Sequence, residues 1–210
     1  MNIAKLSLTV LYNPVYTFHY IKENRGKTDY RYSLIILFLI VVVRIAYIYM
    51  VSFTLGDVNA RDSNLVIESA KMLIPVLSWI LACFAVTTIL DGETLLGENL
   101  MSASLSMMPY IVFSIPLALV SNILNFEGAD FYNFLKIAMW LWIFLLLLGS
   151  TKIMNGYTLG KTIKICILAI ISAVLLWAAI LLMFVLTGQI YRFVQQLAVE
   201  IKMLLFELGG

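Results

Sequence analysis

Five apolar runs, each of about twenty residues, constrain this chain more than any motif it carries. They read Ser33 to Leu55, Met72 to Leu90, Met107 to Leu124, Phe134 to Gly149 and Ile165 to Thr187. A helix rises about 1.5 Å per residue, so about 20 apolar residues cross a hydrocarbon core of about 30 Å. In lipid every backbone N–H and C=O must be satisfied within the protein, so each run is expected to be a helix. The expected fold is all-α: a polytopic membrane bundle of five transmembrane helices, with an amphipathic helix at each end.

Composition agrees with that reading. Of 210 residues, 62% are hydrophobic and 12% charged, whereas a soluble domain carries about 25% charge. The spans and their connections leave no stretch long enough for a separate soluble domain. The expected division is a cytoplasmic interfacial lead-in over 1–32, a membrane domain over 33–187 and an extracytoplasmic amphipathic helix over 188–210. The basic residues lie along the membrane flanks, with no arginine-rich tract or aromatic-interleaved basic strand, so nucleic acid is not an expected partner. Cys83 and Cys166 both fall inside spans, where they read as small apolar fillers. No cleavable leader is recognised in the first twelve residues, and the first span serves as its own insertion signal.

Lysine and arginine on short flanks set topology. Lys22, Arg25, Lys27 and Arg31 crowd before the first span and assign the N-terminus to the cytoplasm. Lys152, Lys161 and Lys164, between spans four and five, fall on the same side. Arg61, Lys71, Lys136, Arg192 and Lys202 fall on the other, where five spans leave the C-terminus. In the lead-in, Asn13-Pro14 reads as an N-cap followed by proline at the first helical position, and Gly26 as a stop. Val15, Phe18 and Ile21 share a face, as in a short helix on the bilayer surface or against a partner. After Gly188, Ile190, Phe193, Leu197, Ile201, Leu204 and Leu208 recur at spacings of three and four. Gln189, Arg192, Gln196, Glu200 and Glu207 take the other faces. This segment reads as an interfacial helix or a docking helix for another subunit.

Few residues invite chemistry. Arg44 sits near the middle of the first span, where a cation costs a few kcal/mol. With no acid inside the spans so drawn, its partners are freed carbonyls near Pro75, Pro109 or Pro116, the hydroxyls of Ser78, Thr87 or Thr88, Asn122, or an anion from outside the chain. The alternative is that Arg44 snorkels to the outer interface. Pro109 and Pro116 share a face of the third span, and each removes a helical hydrogen bond, so together they could frame a cavity. The turn holding Asp91, Glu93 and Glu98 carries three acids and no base. It reads as a receiver for a basic patch of a partner or as a solvated turn. Gly156 to Thr162 imitates a phosphate loop, but the leading glycine is misplaced by one residue, at Gly156 instead of position 155. The only histidine is His19. No His-dependent triad or two-histidine zinc site can be built within the chain, so neither enzyme activity nor a cofactor or metal is expected.

Several of these features, taken in order, resemble the bacterial branch of the Yip family, named for Ypt-interacting proteins. They are the Asn13-Pro14 helix, the Asp91-Gly92-Glu93 turn and the prolines of Met108-Pro109-Tyr110 and Ile115-Pro116. They continue with an outer Phe126-Glu127 loop, Trp140 and Trp142 in the fourth span, and Asn155-Gly156-Tyr157-Thr158 before the fifth. The resemblance implies five helices, a cytoplasmic N-terminus, no catalytic residues, no cofactor and a role exercised through partners. It also implies the bacterial cell membrane as the location. The long N-terminal region of eukaryotic members, which bind Rab-type GTPases, is missing here. The expected function is therefore a non-enzymatic scaffold or accessory subunit of a larger membrane complex, such as a transport system. The partners are the lipid bilayer and other membrane subunits. The runner-up is a small-solute transporter or channel acting as a homo-oligomer.

Overall fold

A computed structural model of the chain describes residues 3–25, 30–56, 63–124 and 128–208, with side chains from 5 to 197 of these. Lys27, Arg61 and the Phe126-Glu127 pair lie outside the described residues, as do the side chains of the C-terminal stripe beyond Leu197. The described residues are helical almost throughout. In chain order the helices are α1 (Ile3–Tyr12), α2 (Pro14–Glu23), α3 (Arg31–Met50), α4 (Leu65–Ile89), α5 (Leu96–Ser106), α6 (Met108–Ile123), α7 (Ala129–Asn155) and α8 (Leu159–Leu208). Five segments are long and apolar enough to cross a membrane: α3, α4, α5 with α6, α7, and α8 as far as Leu197. The chain is thus an all-α helical bundle, compatible with an integral, multi-pass membrane protein.

By contacts the chain divides into residues 1–170 and 171–210. In the first unit, α5 and α6 form the most deeply buried segment. α3 packs against α4, α5 and α6, and α7 packs against α2, α5 and α6. Small residues allow this closeness: Ser102, Ala103, Ser104 and Ser106 are buried, as expected where helix backbones approach in lipid. Their hydroxyls bond back to their own helix, as from Ser104 to the Leu100 carbonyl at 2.7 Å and Ser106 to the Ser102 carbonyl at 2.8 Å. No polar atom of these hydroxyls is thereby left bare.

The lead-in differs from its expected form. Asn13 does cap α2, accepting from the Tyr16 N–H at 3.2 Å, with Pro14 at the first position. However, Leu6, Val10, Phe18 and Ile21 are fully buried, in one cluster with Ile40, Met101, Leu105 and Met154. Val15, expected on the same face, is exposed. Helices α1 and α2 are therefore part of the bundle core, because their apolar face finds α5, α6 and α7 instead of a bilayer surface. The third span also differs. It breaks at Met107, where α5 ends and α6 begins. Pro109 lies buried in the first turn of α6, and Pro116 lies exposed inside it. Without an N–H, Pro109 cannot bond back to the preceding turn, and the interruption falls two residues before it.

In the second unit, the expected separate helix after Gly188 is not separate. Helix α8 continues through that glycine to Leu208. Within 171–197 nearly every large apolar side chain is exposed, among them Val174, Leu181, Phe184 and Phe193. A lone glycine lowers helix propensity by about 1 kcal/mol, too little to stop a helix with strong formers on both sides.

Candidate functional site

Arg44 has an intrachain partner. Its guanidinium donates to Glu68 Oε2 at 2.5 Å, and Lys71 donates to Glu68 Oε1 at 2.7 Å. This corrects the expectation that no span carries an acid. Helix α4 starts at Leu65, seven residues before the apolar run does, and brings Glu68 inside, 3% exposed. Asn64 makes the early start, accepting from the N–H groups of Val66 and Ile67. The side chains considered as partners for Arg44 bond elsewhere. Ser78 donates to the Ile74 carbonyl, Thr87 and Thr88 to that of Phe84, and Asn122 to those of Met50 and Ala118.

A polar network continues from this pair across the bundle. Arg44 lies 5.7 Å over the ring of Tyr47, one turn further along α3. The Tyr47 and Tyr132 hydroxyls hydrogen-bond to each other, joining α3 to α7. Lys136, four residues after Tyr132, lies 5.8 Å over the Tyr132 ring. Two cavities flank the network, and Trp140 lines both. The polar one, about 120 Å³, is lined by Arg44, Tyr47, Tyr110, Ser114, Lys136 and Met139, among others. Its lining holds two cations and no acid, since Glu68 meets Arg44 from the α4 side. Tyr110 adds a buried hydroxyl to the same wall, beside Arg44 and Ser114. The apolar cavity, about 240 Å³, has Met72, Pro75, Trp79, Met107 and Phe144 in its wall, with Lys71 at its edge. Neither Pro109 nor Pro116 lines either cavity. The stretch between them does, through Tyr110 and Ser114, and Met107 at the helix break lines the apolar one.

At the other end of the bundle, the acidic turn is folded onto its own chain. Lys22 pairs with Glu93 at 3.1 Å, and Arg25 Nη2 lies 3.8 Å from the same carboxylate. Arg25 Nε stands 3.2 Å from Glu98 Oε1, an ion pair outside hydrogen-bond alignment. Glu98 is completely buried and accepts from the Leu95 N–H at 3.1 Å, covering an orphan donor at the start of α5. Asp91 stays exposed at a left-handed φ of 55°. Lys22, by hydrogen bond and charge, holds the Glu93 carboxyl below the usual carboxylate range, with a smaller contribution from Arg25.

The end of α7 completes this clamp. Asn155 accepts from the Thr94 N–H at 3.3 Å, and Tyr157 donates to the Leu90 carbonyl at 3.2 Å. Burial pushes the Tyr157 phenol up, which keeps it a donor. Gly156, at φ 67°, closes α7 in the left-handed conformation that glycine adopts without strain. Gly92 has no room for a side chain: a Cβ there would lie 2.7 Å from both Asn155 Oδ1 and the Thr87 carbonyl.

Cys83 and Cys166 are free and buried. Among the described residues no group of histidine, cysteine, aspartate and glutamate could hold a metal ion. Neither a family model, nor a curated protein, nor a solved structure matches this chain.

Proposed function

We propose that this chain is a non-enzymatic membrane protein that binds and passes a small organic anion through the cavity beside Arg44. The observation that carries the reading is a cavity within the helix bundle with Arg44 and Lys136 in its wall and no acid, sharing Trp140 with an apolar cavity that reaches the helix break at Met107. Cations within a membrane layer are costly and mark solute pathways. Interrupted helices near the middle of a bundle serve as binding sites in transporters. A volume of about 120 Å³ is well above the roughly 10–15 Å³ that a single water needs, and leaves room for a small organic anion. The adjoining apolar cavity suits a short hydrocarbon body.

The accessory-subunit reading is kept for one specific observation. The exposed apolar stretch of α8 reaches Leu197, well past the about 20 residues that a span needs. Apolar side chains beyond the hydrocarbon call for cover, from a second subunit or another copy. The other two supports for partner binding are weaker, since Arg44 and the acids Glu93 and Glu98 are paired within the chain. We also propose the Yip-family kinship, a cytoplasmic N-terminus and the bacterial cell membrane, all on the sequence grounds given above.

The test is uptake of labelled butanesulfonate, a permanently charged anion, into liposomes holding the purified full-length chain. Uptake above that of empty liposomes is expected, with Lys136→Gln reducing it several-fold. Parent uptake no greater than that of empty liposomes overturns the transport reading. Uptake only when co-purifying chains are included moves the assignment to an accessory subunit.

A further inference from the structure

We propose that a cleft between α2, α7 and the first turn of α8 is a binding site for an anionic phospholipid. It lies at the clamp end of the bundle, and its volume is about 610 Å³. Along α7 it runs from Leu145 to Gly156, about 16 Å at the helical rise. One end is apolar, formed by Val15, Leu145, Leu148 and Gly149. The other carries Lys22 and Lys152, with His19 and Tyr157 in the wall. The gradient from hydrocarbon to cation along one cleft matches an acyl chain joined to an anionic headgroup.

Charge complementarity selects the headgroup. Lys22 already serves Glu93, but Lys152 makes no ion pair among the described residues. Lys161, held 4.4 Å over the ring of Tyr157, adds positive charge behind that wall. The first turn of α8 contains no acid, so the positive end of its dipole reinforces the same sign. Basic pockets between membrane helices near an interface are the kind that holds anionic lipid headgroups. The apolar end has open space over Gly149, where a Cβ would have nothing within 4 Å. The upper acyl chain lies there, against Val15, Leu145 and Leu148.

The test uses the full-length chain in mild detergent, with lipid retention read by native mass spectrometry. The probes are dioleoyl phosphatidylglycerol, dioleoyl phosphatidylcholine and soluble glycerol phosphate. The parent is expected to retain phosphatidylglycerol several-fold over phosphatidylcholine. Lys152→Gln should remove that preference while total lipid retention stays the same. Gly149→Phe should reduce retention of both lipids, since it fills the groove. Thermal unfolding of each variant without added lipid confirms that it is folded, and Gly149→Leu replaces any variant that is not. Equal retention of the two lipids by the parent overturns the proposal, as does parent-like behaviour of both variants. Displacement of the lipid by glycerol phosphate alone overturns it in favour of a phosphate site.

Discussion

At the scale of single residues, the decisive one is Glu68. A lone arginine in a membrane layer costs several kcal/mol, and so does a lone glutamate. Bonded at 2.5 Å, with Lys71 on the second carboxylate oxygen, each relieves the other. Removing one partner of such a pair leaves a buried charge, which costs about 3–5 kcal/mol in soluble cores. Glu68→Gln is therefore expected to lower the unfolding temperature of the detergent-solubilised chain sharply. The double change Arg44→Met with Glu68→Leu should recover most of the loss, because no charge is then stranded. Equal stability of Glu68→Gln and the parent would mean that Arg44 reaches water without Glu68. The sequence carried a signal for this pair, the i, i+3 spacing of Glu68 and Lys71 on the approach to the second run. It was hidden because Glu68 precedes the apolar run and the helix starts earlier than hydropathy does. Lys136 lies inside the fourth run as drawn, but counts there only among the outer-side basic residues, although it lines a cavity.

At the scale of elements, the connection between α4 and α5 acts as a latch against α2 and α7. Glu93 titrates below its usual value of about 4.5 because Lys22 stabilises the charged form. The unfolded chain therefore binds the proton more readily than the folded one near that pH. The latch contributes fully above the unfolded value and is lost as pH falls through the lowered folded value. Thermal unfolding measured from neutral pH down to about pH 3 should show an acid-side fall that Lys22→Gln flattens. Glu93 is exposed, so the effect is small and shrinks further with added salt. An unchanged acid limb in Lys22→Gln would assign the fall to other carboxylates. The same latch explains why three acids gather beside cytoplasmic-type flanks: two of them answer the Lys22 and Arg25 cluster fifty or more positions earlier in the chain. No local pattern reports that pairing.

At the scale of the whole molecule, Lys22, Arg25, the 91–95 turn and Tyr157 gather at one end, while Arg44, Glu68 and Lys136 belong to the opposite half. That arrangement fits the topology in which the basic flanks face the cytoplasm. Cysteines placed at Glu93 and Thr158, in a chain with Cys83→Ala and Cys166→Ala, should resist an impermeant thiol reagent in intact cells and react after lysis. A cysteine at Thr54 should react in both. Labelling of the first two from outside would reverse the orientation.

The sequence by itself determined the fold class and the span count, because lipid leaves an apolar run no option but the helix. It also determined the Asn13-Pro14 helix start, which is local chemistry. Only the tertiary structure decided where α1 and α2 go, since an apolar helix face is satisfied equally by lipid or by protein until its neighbours are known. Packing likewise decided that Arg44 has a partner in Glu68 and that Glu98 is buried beside Arg25. Each of those depends on which helix lies beside which. Hydropathy, a one-dimensional average, contains no term for that.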